Sequence, residues 1–431
     1  MLKVLFTNKN KLNGYSALKY NPDLEDNSEL LHLFFSDRQN FDGNVQVINS
    51  LEDINIGDKV IFPILYTEPL EIFEDKFISL VFTDAIVRAI SSTNFKFYIL
   101  LWIPTEGYLF RIYTNKKTID GFNKLIKQTK IPPDKILMCY GDNNISKTVD
   151  RLIEKGVDIK IPSQNFFSYE HFLYIASRNF IDKNVNYLNI QKKLSKHGVI
   201  KFGNLRVSRL YFLTQLSKKN LLNDKFLYSV LDQSNLKKKM LKPESHEVFI
   251  LLTKEKDFYY KSLYNEYKLM VDSFPIELDT PADTRLDTIN LPIFPREIND
   301  KVAFEFVIDS EPDLYNYGIN YLTEKVFYPI GYRIPFLIAG GSNTYKRLHE
   351  LGFKTFPELF DESFDSIENI GERFDKLFVT LENFLKLPLN HIEKIINSRQ
   401  IQDKLDYNYN LLRKYGSTPS NIISTIYNKI K

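Results

Sequence analysis

The sequence predicts an α/β protein of two units, each with a mainly parallel sheet, facing each other across a cleft and closed at the C-terminus by helices. Three observations carry this. Apolar runs bounded by polar turns recur through the first half and alternate with segments of helical spacing. A second series of the same kind starts near Val199-Ile-Lys-Phe202. The chain has 431 residues, 43% hydrophobic and 14% aromatic, enough for two or three domains with sizeable cores.

Taken in order, Met1-Leu-Lys-Val-Leu-Phe6 lacks the long apolar core of a secretory signal and reads as a first strand that ends at Thr7-Asn8-Lys9-Asn10. Further strands are predicted over residues 59–65, 77–82, 95–103, 135–139 and 157–161, with helices over 118–128 and 145–155. A link with a helical segment around 169–179 and a basic stretch at 183–201 leads to the second unit. Its strands are predicted at 199–202, 248–252, 302–308 and 336–339. Residues 273–295, rich in Pro and Asp, read as an ordered loop. After Arg373, the spacing of Phe374, Leu377, Phe378, Leu381, Phe384 and Leu385 predicts closing helices.

Composition narrows the function classes. The single cysteine, Cys139, lies in an apolar run and reads as a buried strand residue. One cysteine excludes a disulfide framework and a cysteine-based zinc site, so a reducing cytoplasm is the expected setting. No apolar stretch approaches the roughly 20 residues needed to cross a bilayer, so no membrane partner is expected. There is no P-loop, no Gly-x-Ser-x-Gly elbow and no Asp-x-Asp. The six histidines include no His-x-x-x-His pair, and Glu29 to His32 is a lone Glu-x-x-His, so no metal site is expected. Net charge is only +3, but lysines cluster at Lys116, Lys117, Lys124, Lys127 and Lys130, at Lys192, Lys193, Lys196 and Lys201, and at Lys237 to Lys239. Such clusters form either solvated helix faces or a basic groove for a polyanion.

The most informative region begins with the buried strand at 302–308, which leads into Asp309-Ser310-Glu311 and then Tyr321-Leu-Thr-Glu-Lys325. Thr323 suits a helix N-cap, with Glu324 and Lys325 in the first turn. A helix start offers backbone N–H groups and a positive dipole end to a diphosphate, Lys325 adds a cation, and Glu324 can accept from sugar or ribose hydroxyls. Read alone, Thr-Glu-Lys fits a capped surface helix equally well. Gly340-Gly341 follows the next strand, where glycines mostly supply turn geometry. In the first half, the run ending at Trp102 leads to Pro104-Thr-Glu106-Gly107, a carboxylate just beyond a core strand. Glu106 there is a candidate base, a turn residue or an acceptor contact. Tyr140-Gly-Asp142-Asn143-Asn144 follows the next strand and is a further candidate for lining the cleft.

The string Tyr321-Leu-Thr-Glu-Lys-Val-Phe-Tyr-Pro-Ile330, followed by Ile334-Pro-Phe-Leu-Ile-Ala-Gly-Gly341 and Glu350-Leu-Gly-Phe-Lys-Thr-Phe356, resembles the donor-binding motif of the α-1,3-fucosyltransferase-like superfamily, closest to its phage and large-virus members. Phe360-Asp-Glu-Ser-Phe-Asp365 is similar to the segment that follows the motif in those viral proteins. Upstream, Lys201-Phe-Gly-Asn204-Leu-Arg206-Val-Ser-Arg209 resembles the asparagine and arginine that open the donor domain and contact the diphosphate; Arg209 fits best and Arg206 competes with it. Gly203-Asn204 departs from the usual Ser-Asn. The resemblance covers about residues 199–373 well and the N-terminal half loosely.

The resemblance implies a GT-B arrangement of two Rossmann-like domains: an acceptor domain at 1–195, a nucleotide-sugar donor domain at 196–375, and helices at 376–431 that pack on or bridge them. It implies an inverting, metal-independent glycosyltransferase, a hexosyl- or pentosyltransferase, with a nucleoside-diphosphate sugar as donor. Asn204, Arg206, Arg209, Glu311, Tyr321, Thr323, Glu324, Lys325, Gly340 and Gly341 would hold the donor. Similarity at the Pro-Thr-Glu-Gly turn makes Glu106 the expected general base. The acceptor hydroxyl lies on a hydroxylated base of duplex phage DNA, in the cytoplasm of an infected host cell, or on a glycan or protein. A non-catalytic glycosyltransferase-like binding protein is the third reading.

Overall fold

A computed structural model describes residues 1–5, 45–48, 50–65, 75–103, 116–141, 145–170, 173, 176–177, 180–181, 191–202, 207–230, 296–309, 322–417 and 422–430. The chain divides into two compact units, residues 1–171 with 418–431, and residues 172–417.

In the first unit, strands β1 (Leu2–Leu5), β2 (Val45–Ile48), β3 (Lys59–Leu65), β4 (Lys96–Ile103), β5 (Ile136–Tyr140) and β6 (Phe166–Ser168) form one sheet in the order β2-β1-β3-β4-β5-β6. Every pairing is parallel. Strands of a parallel sheet covered on both faces are apolar almost throughout, and every residue of β1 and β5 is buried, Cys139 among them. The polar exception, Lys3, is paired with Asp58 at 2.8 Å. Helices α1 (Asp75–Val81), α2 (Asp84–Ile90), α3 (Lys116–Thr129) and α4 (Ile145–Glu154) accompany the sheet.

Two expected strands of this unit are not strands. Residues 77–82 lie in and just after α1: Ile78 and Phe82 are buried one turn apart, and Ser79 Oγ donates to the Asp75 carbonyl at 2.6 Å. A short apolar run does not by itself distinguish the two periods. Residues 157–161 instead follow the C-terminus of α4, which ends at Glu154. Gly156, at φ +83°, turns the chain, and the Val157 amide returns to the Leu152 carbonyl at 3.0 Å, a C-terminal cap that consumes the backbone a ladder needs. The edge strand is β6, a few residues later.

The second unit holds β7 (Lys196–Phe202), β8 (Phe226–Val230), β9 (Val302–Ile308) and β10 (Phe336–Ala339), all parallel, in the order β10-β9-β7-β8. Both sheets thus follow one plan: the earliest strand is inside, the second lies on one side and the later ones on the other. That is the doubly wound, Rossmann-like order, and its switch point, where ligands usually bind, falls at the carboxyl ends of β7 and β9. β8 lay unrecognised in the sequence, and residues 248–252 and the loop at 273–295 lie outside the described residues.

Helices α5 (Val207–Lys218), α6 (Leu222–Lys225), α7 (Arg296–Asn299), α8 (Glu324–Gly331), α9 (Thr344–Glu350), α10 (Ile370–Leu385), α11 (Leu389–Ile396) and α12 (Arg399–Ser417) belong to this unit. Aromatic rings tie its layers: Phe212 of α5 meets Phe306 of β9 at 5.3 Å and Phe374 of α10 at 4.8 Å between centroids. The last helix, α13 (Ile422–Lys429), belongs to the first unit, where Lys429 Nζ donates to the Gln164 carbonyl at 2.8 Å and Lys59 lies over the Tyr427 ring. Among the described residues no helix is long and apolar enough to cross a membrane.

Candidate functional site

The candidate site follows from the topology of the second unit. β9, α8 and β10 form a β-α-β succession, so α8 runs back along the sheet and its N-terminus falls at the carboxyl edge. The Asp309 amide donates to the Ala339 carbonyl at 3.0 Å and ties the ends of β9 and β10 together. On the other side of the switch point, α5 follows β7 and carries Arg209. This arginine is 1% exposed, and its Nε donates to the Ile308 carbonyl at 3.2 Å. The candidate cation is therefore seated on the last residue of β9, beneath the surface.

At the start of α8, Thr323 occupies the N-cap position with an extended backbone, as expected. Its side chain makes no capping hydrogen bond. The Oγ1 atom is buried, with the residue 2% exposed, and has no hydrogen-bond partner among the described residues. A buried hydroxyl without a partner costs about 1–3 kcal/mol. Next to it Lys325 Nζ is ion-paired with Glu324 Oε1, both side chains only partly exposed. The cation and the hydroxyl acceptor expected from the sequence thus neutralise each other at the helix start.

The Gly340-Gly341 turn has a different character. The Gly340 carbonyl accepts from Arg373 Nε at 3.2 Å, and a Cβ at this glycine would stand 2.8 Å from Thr344 Oγ1. The Gly341 carbonyl accepts from that same Oγ1 at 2.8 Å. Asn343, in the left-handed region at φ 63°, donates its amide to the Asp365 carbonyl at 2.7 Å. The Asp365 carboxylate then receives the Tyr345 amide at 2.9 Å and the Lys346 amide at 3.1 Å. Burial pushes the Asp365 carboxyl up, opposed by those two amides and by the Arg373 charge. The start of α9 is occupied by a carboxylate of its own chain, and both glycines serve the turn.

Asp365 and Arg373 are the residues sequence reasoning passed over. Arg373 is 1% exposed and also donates from Nη1 to the carbonyls of Ile367 and Glu368 at 2.7 and 2.9 Å. Its only sequence signal was position, at the end of the segment carrying the family-like motif. Of the expected site residues, Glu106, Asn204, Arg206, Glu311 and Tyr321 lie outside the described residues, as do Asp142 to Asn144.

The lysine clusters divide. Lys124 is paired with Asp75 at 2.8 Å. Lys192 and Lys201 are internal: Lys192 is 8% exposed, and Lys201 is paired with buried Glu305 at 2.9 Å. Lys196 donates to the Asp224 carbonyl at 2.9 Å. Lys237 to Lys239 lie outside the described residues. Among the described residues no group of His, Cys, Asp and Glu side chains could hold a metal ion. No protein-family model, curated protein or solved structure matches this chain.

Proposed function

We propose that this protein is an inverting, metal-independent glycosyltransferase of the GT-B arrangement that takes its sugar from a nucleoside-diphosphate sugar. The observation that carries the reading is the helix start at Thr323, with an unpartnered buried hydroxyl and an adjacent Glu324–Lys325 pair, at the carboxyl edge where β9 ends on Arg209. A diphosphate supplies acceptor oxygens for the Thr323 hydroxyl and for Lys325, and a ribose or sugar hydroxyl supplies a donor for the Glu324 carboxylate. Arg209 contributes fixed positive charge from below the edge.

In the transfer, Glu106 takes the proton of the acceptor hydroxyl, whose oxygen attacks the anomeric carbon as the bond to the diphosphate breaks on the opposite face. The departing diphosphate gains charge, which Arg209 and the α8 dipole stabilise from fixed positions and Lys325 stabilises on exchanging Glu324 for the phosphate. For the acceptor, a glycan or protein hydroxyl is the class we place ahead of a hydroxylated base in duplex DNA. Lys192 and Lys201 are internal, which removes them from a groove that would track a phosphate backbone.

A thermal-melting screen of nucleoside diphosphates and their sugars tests the reading. At least one nucleotide should raise the melting temperature, and Glu324→Ala or Lys325→Ala should reduce the rise. A flat response across the panel supports the binding-protein alternative. Glu106→Gln should keep the shift and lose transfer; full turnover by that variant refutes the base.

A further inference from the structure

We propose that residues 191–195, the lead-in to β7, form a proton-dependent latch: neutral Lys192 holds the strand entry closed, and a protonated Lys192 loosens it. The inference stands apart from the glycosyltransferase reading.

The geometry is that of a tether around a buried amine. Lys192 Nζ donates to the carbonyls of Asn299 and Val302 at 2.9 and 3.2 Å, bridging the end of α7 and the start of β9. The backbone of the same residue is bracketed by one side chain, its amide donating to Asn397 Oδ1 at 2.8 Å and its carbonyl accepting from Asn397 Nδ2 at 2.9 Å. Two residues on, the Leu194 amide donates to Glu393 Oε2 of α11 at 2.7 Å, and the Ser195 amide reaches the Lys301 carbonyl at 2.9 Å.

Among the described residues no carboxylate lies within ion-pairing distance of Lys192. Two carboxylates around it are committed elsewhere. Glu305 of β9 is paired with Lys201 of β7, and Glu393 of α11 receives the Leu194 amide. Asp300 favours the charged amine, Lys201 opposes it, and burial outweighs both, bringing the Lys192 pKa down to about 7. The folded chain therefore holds fewer protons than the open one between about pH 7 and the ordinary lysine value. The tether strengthens as pH rises through that window and is weakest below it.

The molecule contains its own control. Asn408 brackets the backbone of Lys354 in the same way, at 2.8 and 2.7 Å, but the Lys354 amine lies out over the Tyr407 ring, on an exposed residue. Amide hydrogen exchange on the wild-type full chain compares the two brackets. From pH 6 to pH 8 the protection factors of the Lys192 and Leu194 amides should rise on the order of tenfold, while that of Lys354 stays level. Equal changes at both sites overturn the latch. A second arm uses Lys192→Met, which removes the titration: the stability difference between wild type and variant should move in favour of wild type from pH 6 to pH 9. A difference constant across that range also overturns the proposal.

Discussion

Two helices of the second unit start at the carboxyl edge of one sheet, and they treat their free amides in opposite ways. At α9 the chain supplies its own anion: Asp365 takes the amides of Tyr345 and Lys346, and Arg373 fixes the turn beneath by holding the Gly340 carbonyl. At α8 the cap residue is present but the cap bond is not, and Thr323 Oγ1 is buried without a partner among the described residues. A helix start filled from within is architecture. One left with an unsatisfied hydroxyl is the start we propose for an external anion.

The largest effect is expected at the filled start: Asp365→Ala leaves the buried Tyr345 amide and the part-buried Lys346 amide without their acceptor, so denaturant unfolding should show a loss of about 2 kcal/mol. Beside this cap, Glu362 accepts from Thr355 Oγ1 and from the Phe356 amide at 2.8 and 2.9 Å, yet burial raises its pKa to about 7. Its folded value lies above the free one, so the folded state holds the extra proton between about pH 4.5 and 7, and stability from this group falls as pH rises through that window. Glu362→Gln should therefore gain on wild type as pH rises from 4.5 to 7, by about 2 kcal/mol after allowance for solvent screening. An unchanged difference would remove Glu362 from the account.

At the open start the expected effects on folding are small and those on binding are not. Lys325→Ala should alter stability by no more than about 0.5 kcal/mol, because its partner is a partly exposed neighbour. The same change should weaken nucleoside-diphosphate binding about tenfold, measured by calorimetric titration. Thr323→Val removes a hydroxyl that satisfies nothing, so its unfolding free energy should stay within about 1 kcal/mol of wild type, on the stable side. A large destabilisation would mean that the hydroxyl caps α8 after all.

These contrasts also show what the sequence could reveal. The strands that carry the site, Val302–Ile308 and Phe336–Ala339, were legible because buried parallel strands are apolar throughout. The α8 start was legible because N-cap chemistry is local to Thr323 and the residues after it. Asp365 was not, since its amide partners are about twenty positions away and meet it only through tertiary packing. Lys192 and Lys201 misled for a related reason: lysine in a charged run suggests a solvated face, and only the packing of α7 and β9 around them turns them inward. The misread run at 77–82 is apolar enough for either period, and its burial at Ile78 and Phe82 selects the helix.

The central claim is that the start of α8 is an anion site of the native protein. Calorimetric titration of the wild-type chain with nucleoside diphosphates, repeated on Lys325→Ala and on Asp365→Asn, tests it most directly. The account predicts that a nucleotide binds wild type, that Lys325→Ala loses about tenfold in affinity, and that a folded Asp365→Asn keeps it. Binding that survives Lys325→Ala but tightens in folded Asp365→Asn would place the anion at α9, where it competes with the Asp365 carboxylate, and would contradict this site.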